Sequence, residues 1–391
     1  MRIGVDASCW ANARGYGRFT RELLASMVRN APDDEFVFVV DQAGRRVFDL
    51  EGDNVTVDVV ELGESPVMAA SAHRNRRLAD MLRMTRAVKR GRPDVFFSPS
   101  VYSYFPLPPG QRAVVAIHDV IADRYPHLTL PTARSRMFWK MKVGLALQQA
   151  RLILTVSDFS ARAIHEYLGV PEDSIRVAGE APAKAYRPSD PRETAEAARE
   201  IGLPEGAGWF VYVGGFNPHK RVTSLVWAHA RLAREEREAA PYLLLVGDPG
   251  SDAFFKNTDR IREAIEEAGT ANRVIWTGFV PDERLRHLHS GSLGLVLPSE
   301  AEGFGLPAVE AAACGSPVIA TNQSPLPELL EGGGIFVAPG DQETLEGALR
   351  LFAKDRALGR RMGDRALERA RALTWDAGAC AALAAIREAA A

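Results

Sequence analysis

Thirteen short apolar segments, most of them rich in β-branched residues, alternate with longer helical patterns along the whole chain. They are 2–6, 36–40, 55–60, 94–97, 113–117, 152–156 and 175–178, then 209–213, 242–246, 273–276, 293–297, 317–320 and 335–337. Strands that are apolar on both faces are typical of parallel sheets covered by helices on both sides. Repeated strand–helix alternation with right-handed crossovers predicts a doubly wound α/β fold, here present twice.

The chain is too long for one core, because single cores stop growing near about 250–300 residues. A proline-rich stretch, 182–208, separates the two blocks and holds only a polar helix near 191–201. We therefore expect one domain over 1–185 and a second over 186–374, followed by an alanine-rich helix over 375–391. Ligands of such sheets lie beyond the carboxyl ends of the strands, so two facing sheets would form a cleft.

Composition excludes several classes of protein. Hydrophobic residues make up 46% and charged residues 25%, so a largely disordered chain is excluded. A net charge of −2 is typical of proteins that do not bind nucleic acid. The cysteines (Cys9, Cys314 and Cys380) are too scattered for a disulfide framework, and the first residues form a strand rather than a signal peptide. We expect a cytoplasmic protein.

The strongest local signal follows the strand at 293–297. Gly303 and Gly305 lie in a loop before a helix that opens at Leu306, and free amides at a helix start suit a phosphate. Glu310 stands alone in this apolar helix, where a vicinal diol such as a ribose is a fitting partner. The alternative is an ordinary turn and a salt-bridged Glu310. The combination after a buried strand favours the ligand site.

A similar strand, glycine loop and helix start occupy 212–221, where Lys220 or Arg221 can meet an anion. The alternative is a solvated basic helix start, which suits Arg221 better than Lys220. His118 follows the strand at 113–117 and is expected to point into the cleft, unless it is structural and held by Asp119.

The loop 11–18 carries Gly15 and Gly17 and is a near match to a dinucleotide fingerprint without its third glycine. We interpret it as a flexible loop that faces a phosphate or an acceptor. The sequence has neither an Asp-x-Asp motif nor a G-x-S-x-G elbow, and the pair His287 and His289 is interpreted as lying on a helix surface. No metal site is predicted.

Basic residues alternate with Met137, Phe138, Trp139 and Met141 in segment 134–143, and segment 74–92 has eight basic residues and one acidic residue. Such segments could contact a lipid-linked acceptor or an anionic membrane. We favour the simpler interpretation, in which the apolar residues pack on the sheet and the charges are solvated. A peripheral membrane contact is thus not favoured.

Taken together, these motifs resemble the retaining family-4 glycosyltransferases of the GT-B fold. The family signature is a pair of glutamates separated by seven residues, matched here by Glu302 and Glu310 around a Gly-Phe-Gly-Leu-Pro core. Supporting segments are 15–18, 117–119, 155–160, 214–220 and 320–328. The matches run from about residue 4 to residue 376, which is nearly the whole chain.

The resemblance implies two Rossmann-like domains facing across a cleft, with helix 375–391 packing back on the first. A nucleotide-sugar donor would bind the second domain and the acceptor the first. The implied contacts are Glu310 with the ribose, the amides of Phe304, Gly305 and Leu306 with the diphosphate, Lys220 with the leaving group, His118 with the donor sugar, Glu302 near the reacting sugar, and backbone around Phe279 and Val280 with the base.

The sequence departs from the family at Gly215 or Phe216 of the glycine loop, where many members have a second basic residue. Arg18 or Arg221 could supply that charge. Family members also imply catalysis without metal or cofactor. The sequence leaves open the donor (GDP-mannose or a UDP- or dTDP-sugar) and the acceptor (saccharide, lipid-linked or small molecule). Alternatives are a GT-B-like epimerase or hydrolase, or a silent binding protein, which Lys220, Glu302 and Glu310 argue against.

Overall fold

A computed structural model describes residues 1–12, 15–63, 77–249 and 257–391. The chain forms two compact units. The first comprises Met1–Glu180 and Thr374–Ala391, and the second comprises Ala181–Leu373. The sequence predicts these boundaries after residues 185 and 374.

The first unit is built on a seven-stranded parallel sheet in the order β3-β2-β1-β4-β5-β6-β7. Its strands are β1 (Arg2–Asp6), β2 (Glu35–Asp41), β3 (Val55–Val60), β4 (Val95–Ser98), β5 (Ala113–Ala116), β6 (Leu152–Thr155) and β7 (Ile175–Val177). Its helices are α1 (Gly15–Asn30), α2 (Gln42–Val47), α3 (Leu78–Gly91), α4 (Ile121–Arg124), α5 (Pro126–Thr129), α6 (Ala133–Gln149) and α7 (Asp158–Leu168). The central strands are buried along their whole length, as expected for a sheet covered on both faces.

Helices α3, α6 and α7 pack on one face of this sheet. Met84 of α3, Trp139 of α6 and Ile164 of α7 belong to one core cluster together with Val115 of β5. Successive strand residues point to opposite faces, so Val114 faces the other side. In α6, however, Met137 and Met141 are 52% and 62% exposed. The expectation that the apolar residues of segment 134–143 pack on the sheet is therefore right for Trp139 and wrong for the two methionines.

The C-terminal helix of the chain belongs to the first unit. It spans Trp375–Ala390 and packs against α1 and against strands β4 to β7. Arg387 Nη2 donates to Asp34 Oδ2 at 2.9 Å, and Arg176 Nε donates to Glu388 Oε2 at 3.0 Å. Thr374 caps the helix by accepting a hydrogen bond from the Ala377 amide at 3.2 Å. These contacts hold the last residues of the chain on the unit that also contains the first.

The second unit has a six-stranded parallel sheet in the order β10-β9-β8-β11-β12-β13. Its strands are β8 (Trp209–Val213), β9 (Tyr242–Val246), β10 (Val274–Gly278), β11 (Gly294–Leu297), β12 (Val318–Thr321) and β13 (Gly334–Val337). Its helices are α8 (Pro191–Glu200), α9 (Val222–Glu236), α10 (Thr258–Glu267), α11 (Asp282–Ser290), α12 (Leu306–Ala313), α13 (Leu326–Leu329), α14 (Gln342–Lys354) and α15 (Arg356–Arg371); the C-terminal helix described above is α16.

The predicted fold class, two doubly wound Rossmann-like α/β domains, is confirmed. Each of the thirteen apolar segments forms a strand, with ends that differ from the prediction by at most two residues. The polar helix expected near 191–201 is α8, which opens on Pro191 behind an Asp190 cap. Across the described ranges, the structure has no helix that combines the length and the apolar character needed to cross a bilayer.

Candidate functional site

The strand order of the second unit places two distant loops side by side. From the adjacent strands β8 and β11 the chain proceeds in opposite directions, to β9 and β10 on one side and to β12 and β13 on the other. The carboxyl ends of two such strands form the switch point at which open α/β sheets bind ligands. Lys220, after β8, lies there with its Nζ atom 2.7 Å from Oε1 of Glu302, after β11.

The Lys220–Glu302 pair is partly shielded from solvent. The two side chains are 20% and 10% exposed. Ser299, which is fully buried, donates its hydroxyl to the same Glu302 Oε1 at 2.5 Å, so one carboxylate oxygen accepts two hydrogen bonds. A lysine ammonium has three donors, and the bond to Glu302 uses one of them. The Lys220 ammonium can therefore donate to a bound anion while it keeps its hydrogen bond to Glu302.

A second ion pair joins the same two loops. Arg221 Nε donates to Glu300, and the Glu300 amide donates to the His219 carbonyl at 2.7 Å. Arg221 has a left-handed backbone, with φ of 51°, and ends the short 3-10 helix Pro218–Lys220 before α9. Its side chain is 31% exposed. Arg221 is therefore more than a solvated basic residue at the helix start, because its guanidinium is paired with Glu300.

Ser299 and Glu300 are site residues that the sequence motifs did not indicate. Both residues follow β11 directly and lie within three residues of Glu302. This position at the carboxyl end of a strand was the signal that could have indicated them. The partner of Ser299 is Glu302 in the same loop, whereas the partner of Glu300 is Arg221, 79 residues earlier, and only the pairing of β8 with β11 brings these two together.

The loop after β11 continues into α12 through Gly305, which has a φ of 89°. A Cβ atom at Gly305 would lie 2.7 Å from Leu326 Cδ1, so only glycine fits without a shift. The first amides of a helix have no carbonyl partner within it, and at the start of α12 these include the amide of Leu306, which follows Phe304 and the N-cap residue Gly305. Glu310 is 4% exposed and lies one turn into this apolar helix, which begins four residues after Glu302.

The glycine loop after β8 places its aromatic residue in the core. Phe216 is fully buried and lies 4.9 Å from the Trp276 ring and 5.8 Å from the Tyr212 ring, while Gly215 accepts a hydrogen bond from the Tyr212 hydroxyl. Phe216 therefore packs in the core beneath the loop, at a position where many family members are expected to have a basic residue.

At the end of β10, Phe279 is 68% exposed and Val280 is partly buried. They follow Gly278, whose carbonyl accepts a hydrogen bond from the Gly247 amide at 3.0 Å. This bond joins the carboxyl ends of β9 and β10, at the edge of the sheet that also carries Lys220 and Glu302.

In the first unit, His118 follows β5 and is partly buried. Its Nε2 lies 2.8 Å from the Pro99 carbonyl oxygen, and its ring lies 4.5 Å from that of Phe19. A carbonyl only accepts, so Nε2 carries the proton and Nδ1 is left as an acceptor. Burial lowers the pKa of His118 to about 4, so the ring is neutral at pH 7. The contact that holds the ring is thus the Pro99 carbonyl, while Asp119 Oδ1 accepts a hydrogen bond from the Ile121 amide at 2.9 Å.

Gly15 and Gly17 form the first turn of α1 and not a flexible loop. A Cβ atom on Gly17 would lie 2.0 Å from the Asn12 carbonyl oxygen, so the glycine allows this backbone to approach the helix. Asn12 Nδ2 donates to the Tyr16 hydroxyl at 2.6 Å, which ties the segment to α1. The rest of the predicted loop includes residues 13 and 14, which lie outside the described residues, as do residues 74–76 of the basic segment.

The interpretation of His287 and His289 as a surface pair is wrong for His289. His289 is fully buried in α11, and neither ring nitrogen has a hydrogen-bond partner among the described residues. Burial lowers its pKa to about 3, so the ring is neutral. Within the part of the chain that the structure describes, no three histidine, cysteine, aspartate or glutamate side chains are grouped as metal ligands would be.

Two family models match the chain, one for each unit. The model described as glycosyltransferase family 4 matches residues 13–179, and the model described as glycosyl transferases group 1 matches residues 193–369. The second match contains Lys220, Glu302 and Glu310. The first contains His118.

Among characterised proteins, the chain is 29% identical over 300 residues to the O-antigen chain mannosyltransferase B of Escherichia coli, which covers 77% of this chain and 76% of that protein. It is 34% identical over 218 residues to the D-inositol 3-phosphate glycosyltransferase of Nocardia farcinica, covering 55% of this chain and 48% of that one. The chain thus spans about half the length of the inositol phosphate glycosyltransferases that it matches.

Solved structures share the fold over the whole chain. Sucrose-phosphate synthase from Thermosynechococcus elongatus superposes with a TM-score of 0.77 at 20% identity, covering 99% of this chain and 98% of that one. HepE of Anabaena in complex with UDP-glucose superposes with a TM-score of 0.70 at 18% identity, covering 100% and 98%. At these identities the likeness shows the fold.

Proposed function

Because the chain belongs to the family-4 glycosyltransferases of the GT-B fold, we propose that it transfers a hexose from a nucleoside-diphosphate sugar to an acceptor hydroxyl with retention of configuration. The observation that carries this proposal is the pairing of Lys220 with Glu302 at the switch point of the second sheet, directly before α12. A cation and a helix start converge there, which suits the diphosphate of such a donor.

In this proposal the donor binds along the carboxyl edge of the second sheet. The amides of Phe304, Gly305 and Leu306 donate to the diphosphate, and Glu310 accepts from the ribose hydroxyls. Gly215 lets the backbone of the glycine loop approach the phosphates. Backbone around Phe279 and Val280 reads the base, and the exposed Phe279 ring offers it an aromatic face.

Catalysis then consists of positioning and electrostatic stabilisation. The bond between the anomeric carbon and the diphosphate oxygen breaks, and the acceptor oxygen bonds to that carbon on the same face. The acceptor proton passes to the departing diphosphate. Lys220 stabilises the negative charge that grows on the diphosphate, and Glu302 with Ser299 fixes the lysine in place.

The tautomer of His118 and its neutral charge limit which contacts its ring can make with a substrate. With Nε2 donating to Pro99, Nδ1 can accept a hydrogen bond from a sugar hydroxyl and cannot act as a cation at pH 7. We therefore propose that His118 orients the sugar and that Lys220 provides the positive charge. We assign no metal ion and no cofactor to the reaction.

For the donor we propose GDP-mannose first, since one relative is named a mannosyltransferase. A UDP- or dTDP-sugar is the second choice, since a structural neighbour was solved with UDP-glucose. We propose a saccharide, lipid-linked or small-molecule acceptor and a reaction in the cytoplasm.

A donor screen tests the proposal. The protein is incubated with GDP-mannose, UDP-glucose, UDP-N-acetylglucosamine and dTDP-glucose, with and without a mixture of sugar acceptors, and nucleotide release and sugar products are followed by NMR. Acceptor-dependent nucleotide release with an α-linked product supports retaining transfer. Release without acceptor indicates a hydrolase, conversion of the donor sugar indicates an epimerase, and binding without turnover indicates a silent protein.

A further inference from the structure

Glu300 contacts both sequence neighbours of Lys220. Its amide donates to the His219 carbonyl at 2.7 Å, and its carboxylate accepts a hydrogen bond from Nε of Arg221. Lys220 itself donates to a different residue of the same loop, Glu302. The residues on either side of Lys220 are thus attached to one residue of the loop after β11.

The backbone of Arg221 has the left-handed conformation, with φ of 51° and ψ of 32°. Glycine and asparagine adopt this conformation most easily, whereas other side chains disfavour it. An arginine here therefore has a backbone that its residue type does not favour. The ion pair with Glu300 offsets this cost, so the contact of the guanidinium accounts for an arginine at this position.

This left-handed residue connects the turn that carries Lys220 to α9. The Lys220 amide donates to the Asn217 carbonyl at 2.9 Å. The Arg221 amide donates to the Pro218 carbonyl at 3.1 Å, which closes the 3-10 turn. The Arg221 carbonyl in turn accepts from the Ser224 amide at 3.0 Å, at the start of α9. Lys220 is therefore the last residue of the turn, and the conformation of Arg221 sets where that turn ends.

The Arg221 guanidinium also lies against the loop after β13. A Cβ atom on Gly340 of that loop would lie 3.4 Å from Nη1 and 3.7 Å from Nη2 of Arg221. Gln342 Nε2, two residues later, donates to the Ser224 carbonyl at 3.2 Å. The side chains of Arg221 and Glu300 are 31% and 15% exposed. The pair thus lies between the loops that follow β8, β11 and β13, and this packing limits the positions that the guanidinium can take.

The charges indicate how such a pair acts on a bound diphosphate. Arg221 and Glu300 have opposite charges, so together they add no net charge to the site. The attraction for an anion comes from Lys220, whose ammonium has donors in addition to the one that Glu302 accepts. The Arg221–Glu300 pair is therefore better suited to holding the lysine in place than to binding the donor.

We propose that Glu300 is a positioning residue, which through Arg221 and the His219 carbonyl fixes the turn that places Lys220 against the diphosphate. The effect on turnover rests on the glycosyl transfer proposed above, whereas the hold of Glu300 on the turn does not depend on it. A misplacement of about 1 Å can lower the rate of a reaction by about 100-fold. Loss of this hold should therefore affect turnover more than nucleotide binding.

Hydrogen–deuterium exchange of the full-length protein tests the hold on the turn without any substrate. In Glu300→Gln the amides of Lys220 and Arg221 should exchange about tenfold faster, because a hydrogen bond to a charged group is replaced by a weaker one. The peptide that contains these amides is itself unaltered in this variant. The matched control is Glu235→Gln, which alters another glutamate–arginine pair of the second unit, with Arg350 at 2.7 Å. It should leave the exchange of this peptide unchanged.

Calorimetry and kinetics then test the effect on Lys220. Glu300→Gln should bind UDP and GDP within about threefold of the unchanged protein, while kcat with the donor found in the screen falls about tenfold. Arg221→Asn suits the left-handed backbone but removes the guanidinium, so it should show the same fall in kcat. The double variant Arg221→Asn/Glu300→Gln should be no worse than either single variant, because both changes remove one interaction.

Arg92→Asn is the control for the backbone. It makes the same substitution at an exposed arginine whose φ is 45°, in the first unit, and should leave kcat and nucleotide binding unchanged. A fall in kcat in Arg221→Asn alone would thus come from the lost guanidinium and not from the change of residue type at a left-handed position. The Tm of each variant by circular dichroism controls for loss of fold.

Two outcomes overturn the proposal. The first is unchanged exchange at Lys220 and Arg221 in Glu300→Gln, or faster exchange with unchanged kcat. The second is a Kd for UDP and GDP that rises at least about tenfold in Arg221→Asn and falls in Glu300→Gln, which would make Arg221 a direct ligand of the diphosphate. If the donor screen finds no transfer, the exchange experiment still decides whether Glu300 holds the turn, so the two proposals fail separately.

Discussion

Lys220 and Glu302 are 82 residues apart in the chain, yet Lys220 Nζ lies 2.7 Å from Glu302 Oε1. Both residues were expected to act in catalysis, one on the leaving group and one near the reacting sugar. Their contact means that neither can be changed without altering the surroundings of the other. Experiments on this site therefore need single and double variants together.

Lys220→Ala should lower kcat by on the order of 10²–10³, the scale for removing one preorganised stabilising group. The KM for the donor should rise less than kcat falls, because the cation helps more as charge develops than when substrate binds. Lys220→Arg should recover part of the activity. Steady-state kinetics of these variants, of Glu302→Gln and of Lys220→Ala/Glu302→Gln measures the coupling between the two residues.

Arg221→Ala is the comparison for Lys220. It breaks the bond to Glu300 that joins the two loops but leaves Lys220 in place to stabilise the departing diphosphate, so we expect a milder fall in kcat. If Lys220→Ala changes only KM, Lys220 is a binding group, and the leaving-group role passes to Arg18 or Arg221.

Glu310→Gln should weaken nucleotide binding by about 1.5–3 kcal/mol, or roughly 10- to 150-fold, the value of hydrogen bonds to a charged group. Calorimetry with the free nucleoside diphosphate measures this. The melting temperature of the variant controls for loss of fold, since Glu310 is 4% exposed. Unchanged affinity in a folded variant would rule out the ribose role.

Activity should persist in excess EDTA, because in the proposed mechanism Lys220 supplies the charge that a divalent ion would otherwise provide. The measurement is product formation after dialysis against chelator, with and without added Mg²⁺ or Mn²⁺. Full loss with EDTA that added metal restores would contradict the proposed mechanism.

Gly305→Ala should destabilise the second unit by more than Gly315→Ala. Both glycines have positive φ, 89° and 79°, so both substitutions carry the left-handed cost of about 1–2 kcal/mol. Only at Gly305 does the new Cβ also meet Leu326, at 2.7 Å, whereas the space at Gly315 is open. Urea unfolding of the two variants isolates the effect of the contact. Equal losses would show that Leu326 moves away freely.

Stability should fall as pH drops below about 6.5, partly through His289. Its pKa is about 3 in the fold against 6.5 ordinarily, so between these values the unfolded chain binds a proton that the folded chain does not. Each such group lowers the unfolding free energy by up to about 1.4 kcal/mol per pH unit. His118, with a pKa of about 4, acts in the same direction.

His289→Leu tests this assignment. The variant should lose less stability between pH 7 and pH 5 than the unchanged protein, as measured by Tm or urea unfolding. His127 is exposed, so His127→Leu is the matched control for the same change of residue type at the surface. An unaltered slope in His289→Leu would assign the acid sensitivity to other groups.

The strands and their parallel arrangement could be predicted from the sequence because they depend on local patterns. Continuous apolar segments of three to six residues are typical of strands in a sheet covered on both faces, and the helices between them favour parallel crossovers. The glycine loops and the helix opening at Leu306 are also local, since they depend on backbone freedom and on proline at the first turn. The family signature, Glu302 to Glu310, lies within one such segment.

The sequence could not predict contacts that depend on which strands are neighbours. The placement of β8 beside β11 brings Lys220 to Glu302 and Arg221 to Glu300, and no pattern within either segment encodes that order. Burial of individual side chains is likewise a tertiary property. His289 and Met137 both lie in helices, and their residue types would predict an exposed histidine and a buried methionine. The packing of neighbouring elements decides the opposite, since it buries His289 and leaves Met137 exposed.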